Sequence, residues 1–251
     1  MPVFRLLLAL ACGLAAHLAC AADLKILSAG AFKPVLVALQ PAFEQQTGNK
    51  LVIVNDTAGG LEKRVKAGEP FDLVVSSRPS LLAMSQAGRL ASEPPMPVGR
   101  VGIGVAVRKG MPLPDIGSVD AFRAMLVNAR SVAYIDPAAG GSSGIYLDRL
   151  FERWGIAPQV RAKAVLVPGG LVATRVVDGS ADVAIHQISE ILAVPDAVLV
   201  GPVPAEIQNY TVYGAALSAN AANAAAAREL VAALRSDKGV EILKARGMEA
   251  P

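Results

Sequence analysis

The sequence predicts an α/β fold of two lobes, each a mostly parallel sheet flanked by helices, with the chain crossing twice between them. Three observations carry this reading. Short apolar runs alternate with helical patterns from Asp23 onward. Hydrophobic residues make up 53% of the 251 positions but aromatics only 4%, so Ala, Val, Leu and Gly do the packing, as suits parallel strands buried on both faces. Two Pro-containing segments, Ser92–Gly99 and Gly201–Pro204, bracket a middle α/β block.

The elements follow in order. Leu24–Leu27 reads as a strand and Phe32–Gln45 as a helix, with Val35, Leu36, Leu39 and Phe43 on one face and Thr47-Gly48-Asn49 as its stop. The unit recurs as strand Leu51–Val54, helix Gly60–Lys66, strand Phe71–Val75 and helix Ser80–Gln86, a β-α-β-α rhythm that implies a parallel sheet. Ser92–Gly99, with Pro94, Pro95 and Pro97, reads as a crossing rather than an element. A single β-branched strand, Val101–Val107, opens the second series. Helix Val119–Leu126, strand Val132–Ile135, helix Gly144–Trp154, strand Ala162–Val167, helix Leu171–Val177 and strand Val183–Ile185 continue it. Strand Tyr210–Leu217 and helices Ala221–Leu234 and Gly239–Ala245 end the chain. Residues 23–100 with 203–251 are therefore expected to form lobe 1, and 101–202 lobe 2, with a ligand cleft between them.

Residues 1–22 have the order of a secretory signal peptide: Arg5, the apolar run Leu6–Ala16, then the small residues Ala19-Cys20-Ala21-Ala22. Cleavage after Ala21 or Ala22 removes both cysteines, Cys12 and Cys20, and places the mature protein in the periplasm. The alternative is a lipoprotein anchored through Cys20. Without Arg5 the chain has 23 basic residues against 21 acidic, a net charge of +2, and no basic block that would mark a nucleic-acid partner. No His/Cys/Asp cluster has metal-ligand spacing, so neither a metal cation nor a cofactor is expected. A monomer is expected.

Three strand-to-helix turns share a composition: Ser28-Ala29-Gly30-Ala31, Thr57-Ala58-Gly59-Gly60 and Gly140-Gly141-Ser142-Ser143-Gly144. Each puts hydroxyls and bare amides where a helix begins, and helix N-termini carry unpaired N–H groups that favour anions. Any one of them is an ordinary helix cap; three from both lobes point to one convergent anion site. None is a phosphate-cradling Walker loop.

These turns, together with Gly68-Glu69-Pro70-Phe71-Asp72-Leu73-Val74-Val75-Ser76, Asp136–Tyr146 and Gly179–Ile185, resemble the periplasmic molybdate-binding proteins of ABC importers and their relatives, across nearly the whole chain after residue 22. The resemblance implies a type II periplasmic binding fold that closes over a small anion. It also implies ligand contacts from Ser28, Ala29, Thr57, Ala58, Gly59, Ser142 and Ser143. Gln187 stands where that family usually has a ligand-binding tyrosine. Ser77-Arg78 stands where it commonly has alanine, and an arginine facing the cleft would pair with a carboxylate. His186 is the one histidine left after the leader, and Glu190 lies four residues on.

Other residues read more plainly. Tyr146 and Trp154 share a helix face as packing, and Glu62, Lys63, Arg64 and Lys66 form a solvated face. Lys33 and Arg100 are candidates to lean into the cleft. Two functions remain. One is a non-enzymatic solute receptor that delivers an oxyanion or compact organic acid to the membrane subunit of an importer. The other is an aconitate isomerase on the same fold, with His186 and Glu190 moving the proton and Arg78 clamping carboxylate.

Overall fold

The structure, a computed structural model, describes residues 22–251. The leader, its cleavage and both cysteines lie outside the described residues. The first lobe begins with β1 (Asp23–Ala29), α1 (Lys33–Thr47), β2 (Lys50–Asp56), α2 (Ala58–Lys66), β3 (Leu73–Ser77), α3 (Arg78–Gln86) and β4 (Met96–Val101). The second holds β5 (Ile103–Arg108), α4 (Val119–Asn128), β6 (Val132–Ile135), α5 (Ser142–Arg153), α6 (Ala157–Arg161), β7 (Ala164–Val167), α7 (Thr174–Val177), β8 (Val183–Gln187), α8 (Ile188–Ile191) and β9 (Ala197–Pro202). The chain then returns to the first sheet with β10 (Thr211–Leu217), α9 (Ala224–Arg235) and α10 (Asp237–Ala245).

The two five-stranded sheets have orders β2-β1-β3-β10-β4 and β7-β6-β8-β5-β9. In the first, β1 pairs parallel with β2 and β3, while β10 runs antiparallel to β3 and β4. In the second, β6 pairs parallel with β7 and β8, while β5 runs antiparallel to β8 and β9. In each sheet the odd strand out is the one that comes straight from the other lobe.

Pleat alternation explains how the second sheet is covered. Val105 of β5, Tyr134 of β6 and Ile185 of β8 join one apolar cluster, while their neighbours Ala106, Ala133 and Ala184 join another. One face is therefore bulky and the other small, and both lie under helices. In the first lobe the face of α1 formed by Val35, Leu36, Leu39 and Phe43 packs on β1, whose Leu24, Ile26 and Leu27 are fully buried. Gly48, at φ 75°, ends α1 in the left-handed conformation that glycine adopts without strain.

Some expectations change. The Pro-rich crossing contains β4, which is an edge strand; there Pro97 forfeits no ladder bond that a central strand would need. The single strand Val101–Val107 is two strands in different sheets, divided at Gly102, so the crossing is this break. β9 and the short helices α6 and α8 have no counterpart in the sequence reading. Gln208 clips the crossing segments together, accepting from the Ile103 N–H at 2.7 Å and donating to the Ile103 carbonyl at 2.9 Å.

Asp72 ties the first lobe together. Its buried carboxylate accepts from the N–H groups of Lys25 (2.9 Å) and Asn223 (2.8 Å), joining the start of β1, the entry to β3 and the approach to α9. Asp72→Ala strands both donors and is expected to lower the unfolding free energy by about 2–4 kcal/mol. Urea titration of the purified protein checks this, and a loss below about 0.5 kcal/mol, the level of an ordinary surface substitution, contradicts it.

Candidate functional site

The ends of β1, β2, β6 and β8 meet across the interlobe cleft. Around one small cavity stand Ala29, Gly30 and Ala31 from the first turn, Thr57 and Ala58 from the second, and Gly141, Ser142 and Ser143 from the third. The three turns that share a composition thus converge. Its volume, about 30 Å³, leaves room for on the order of two water molecules.

Direct contacts between the lobes close this space. The Thr57 hydroxyl donates to the Ala139 carbonyl, while also accepting from the Gly60 N–H at 2.9 Å as the cap of α2. The Gly59 N–H donates to the Gly140 carbonyl at 3.2 Å. A Cβ on Gly59 would stand 2.9 Å from the Gly140 Cα, so this approach requires glycine. On the other side of the cleft, the buried Ser189 hydroxyl of α8 donates to the Ala31 carbonyl at 2.7 Å.

His186, Gln187 and Glu190 line the same cavity and are buried. The His186 Nε2 lies 3.3 Å from a Glu190 carboxyl oxygen, and the Glu190 carboxyl sits over Gly30, where a Cβ would come within 2.4 Å of it. Burial lowers the His186 pKa from 6.5 to about 3 and raises that of Glu190 from 4.5 to about 8. Burial favours the uncharged form of each group, and an imidazole that takes the carboxyl proton at Nε2 carries its own hydrogen on Nδ1. Among the described residues that buried Nδ1 has no hydrogen-bond partner.

Gln187 makes the same point. Its side-chain amide nitrogen meets the Thr211 hydroxyl at 2.9 Å and its amide oxygen has no partner among the described residues. A hydroxyl accepts or donates equally well, so an anion in the cavity selects the amide orientation that turns the NH₂ toward it. Asn55 Oδ1, also at the cavity, is a third buried polar atom without a partner. The Tyr213 ring of β10 completes the wall, packed on Phe32 with centroids 6.0 Å apart. Its phenol is held protonated by burial first and by Glu190 second. Asp56 is the one carboxylate at the cavity besides Glu190, and it is paired with Arg64 at 2.8 Å. Among the described residues, no lysine or arginine lines this space.

Other expected site residues lie elsewhere. Ser28 is fully buried behind the cavity and donates to the Ala29 carbonyl at 3.0 Å. Gly59, Ser77 and Arg78 line a neighbouring outer groove rather than the inner cavity. Arg100 does not lean into the cleft: it pairs with Glu249 at 2.6 Å and stacks over Tyr210. Lys33 is exposed and absent from the cavity wall. Arg64 is half-buried between Asp56 and Glu69 rather than part of a solvated face. Asn55, Asp56 and Tyr213 were not anticipated as site residues; Asn55-Asp56 directly precedes the second turn, but nothing local marks Tyr213, which arrives with the returning strand.

Residues 24–249 match the family described as bacterial extracellular solute-binding protein. The chain belongs to that family. Its relatives include an aconitate isomerase of Pseudomonas sp, 34% identical over 232 residues that cover 90% of this chain and 87% of the isomerase. Among solved structures, the periplasmic molybdate-binding protein of Azotobacter vinelandii superposes with a TM-score of 0.79 at 21% identity, over 91% of this chain and all of that one. The sulfate-binding protein SubI of Mycobacterium tuberculosis superposes at 0.73 and 21%, over 92% of this chain and 87% of SubI. At these identities the likeness establishes the two-lobed fold of periplasmic binding proteins.

The buried pair of this solute-binding protein has a signature in stability. Glu190, whose pKa is raised on folding, contributes fully below about pH 4.5 and progressively less as pH rises to about 8; His186, whose pKa is lowered, contributes fully above 6.5 and loses this as pH falls toward 3. Between pH 6.5 and 8 the Glu190 effect stands without that of His186, and burial keeps Tyr213 protonated. Thermal melts of wild type and Glu190→Gln are expected to diverge in favour of the variant across that window. A difference independent of pH contradicts a buried, protonated Glu190.

Proposed function

We propose that this protein is a periplasmic receptor that closes its two lobes over a compact anion, an oxyanion of molybdate size or a small organic acid, and presents the closed form to the membrane subunit of an importer. The observation that carries this is the small interlobe cavity in which three helix-initiating turns meet with no cation on the wall. A dehydrated anion is held there by neutral donors: the Ser142 and Ser143 turn, the amides of the first two turns, the His186 Nδ1–H and the Gln187 NH₂. Ligand contacts from both lobes favour closure by their differential free energy. Residues 23–100 with 203–251 would move as one body and 101–202 as the other.

A second reading rests on a specific observation, the His186–Glu190 pair at the cavity, and on the isomerase relative. Moving a proton across an allylic tricarboxylate needs a group that gives a proton and one that takes it: a Glu190 carboxyl that passes its proton to Nε2 can take one from the substrate, while the resulting imidazolium gives one from Nδ1. The substrate is larger than the closed cavity, so this reading requires the lobes to stand further apart during turnover.

Calorimetry of the mature protein with molybdate, tungstate, sulfate and small carboxylates tests the receptor reading, with one anion expected to bind at one site per chain. Gly59→Ala, which props the lobes apart at Gly140, is expected to weaken that anion about tenfold, the effect of about 1.4 kcal/mol on the closed state. Absence of heat with every anion sinks the receptor reading. Ultraviolet absorbance with trans-aconitate tests the second: turnover that is abolished in Glu190→Gln supports it, and no conversion at high protein concentration excludes it.

A further inference from the structure

Of the fourteen arginines among the described residues, six pair with a carboxylate. Arg64, Arg100, Arg130, Arg161, Arg175 and Arg228 each hold a carboxylate within 3.1 Å. Three that do not, among the described residues, share one place. Arg78, at the start of α3 in the first lobe, and Arg149 and Arg153, on α5 in the second, line a groove of about 730 Å³ beside the inner cavity. Ala58 and Ser142 belong to the walls of both, so the two spaces are neighbours.

The groove is shaped by fixed aromatic groups. Arg153 lies over the Tyr146 ring at 6.0 Å, and the Tyr146 hydroxyl donates to the Ile207 carbonyl at 2.5 Å. Tyr210, on the opposite wall, is held under Arg100 at 4.8 Å. Glu62 is the one acidic residue on the wall. The groove therefore carries a net positive charge contributed from both lobes. Lobe closure brings these like charges together, which opposes closure unless an anion lies between them.

We propose that this groove is a second anion site, which takes a di- or tricarboxylate across the lobes, from Arg78 on one to Arg149 and Arg153 on the other, and so favours the closed form. Size separates the two sites. The inner cavity accepts only a compact anion, whereas the groove falls in the range of sites that hold an organic molecule of several carboxylates. Arginine suits this ligand because its planar fork pairs with carboxylate through two parallel hydrogen bonds. The bridging effect rests on the lobe closure proposed above; binding in the groove does not.

Citrate is the probe. Calorimetry at low ionic strength is expected to give one citrate per chain, with affinity falling about tenfold in Arg78→Ala and further in Arg149→Ala/Arg153→Ala, and falling with added salt. Arg235→Ala, an exposed arginine remote from the groove, keeps wild-type affinity. X-ray scattering is expected to show citrate contracting the wild type and not Arg78→Ala. All substituted arginines are exposed, and circular dichroism melts confirm that the variants fold. No citrate binding, or binding unchanged in the groove variants, overturns the site; binding without contraction overturns the bridge. Groove-dependent citrate binding in a protein that takes up no compact anion upholds the site while the receptor reading falls.

Discussion

Two buried titratable groups, His186 and Glu190, face each other at an interlobe cavity on whose wall, among the described residues, no lysine or arginine stands. His186 and Glu190 lie 3.3 Å apart, and burial drives both toward their uncharged forms. Were Glu190 ionised at neutral pH, a buried negative charge would face the space the ligand needs. The pair instead adds a hydrogen-bond donor without adding charge. Its position follows from α8, which starts where β8 ends and sets the Glu190 carboxyl over Gly30 and the Ser189 hydroxyl against Ala31. A side chain on Gly30 would collide with that carboxyl, so the first turn and the pair are matched in shape.

The fold serves this arrangement by aiming strand ends at one another. Parallel pairing of β1 with β2 and of β6 with β8 puts their C-terminal ends, and the helix starts that follow, along the facing edges of two sheets. The strands that run against the rest, β5 and β10, belong to the two crossings, and β10 carries Tyr213 into the cavity. Glycine against glycine at 59 and 140 then permits backbone to meet backbone at closure. Among the described residues, Arg78, Arg149 and Arg153 lie outside, on the wall of the groove, and not on the cavity wall.

Much of this was legible in the sequence because local rules agreed with the global fold. Alternating strand and helix patterns located most of the larger elements, and the Ser/Thr/Gly turns marked the strand ends that converge. What escaped was of two kinds. Short elements such as α6 and α8 have too few residues for a period to register, and β4 was masked by prolines that only an edge strand tolerates. Long-range assembly was also invisible: Tyr213 reaches the cavity on a strand that returns from the far end of the chain. Arg78 opens α3 and lines the groove beside the cavity, not the cavity itself, a placement that no local pattern encodes. His186 and Glu190 were visible as candidates, but their mutual contact and neutrality come from burial that no local pattern encodes.

A neutral imidazole with a free Nδ1–H at the cavity is what anion capture by these neutral donors requires. His186 is the single histidine of the residues after position 22, so its imidazole gives one unambiguous set of nitrogen resonances in a labelled mature protein. Nitrogen NMR is expected to find it neutral and protonated at Nδ1 from pH 5 to 7, with the Nδ1 resonance shifting when molybdate or trans-aconitate is added. An imidazole that titrates near 6.5 and ignores every anion would contradict it.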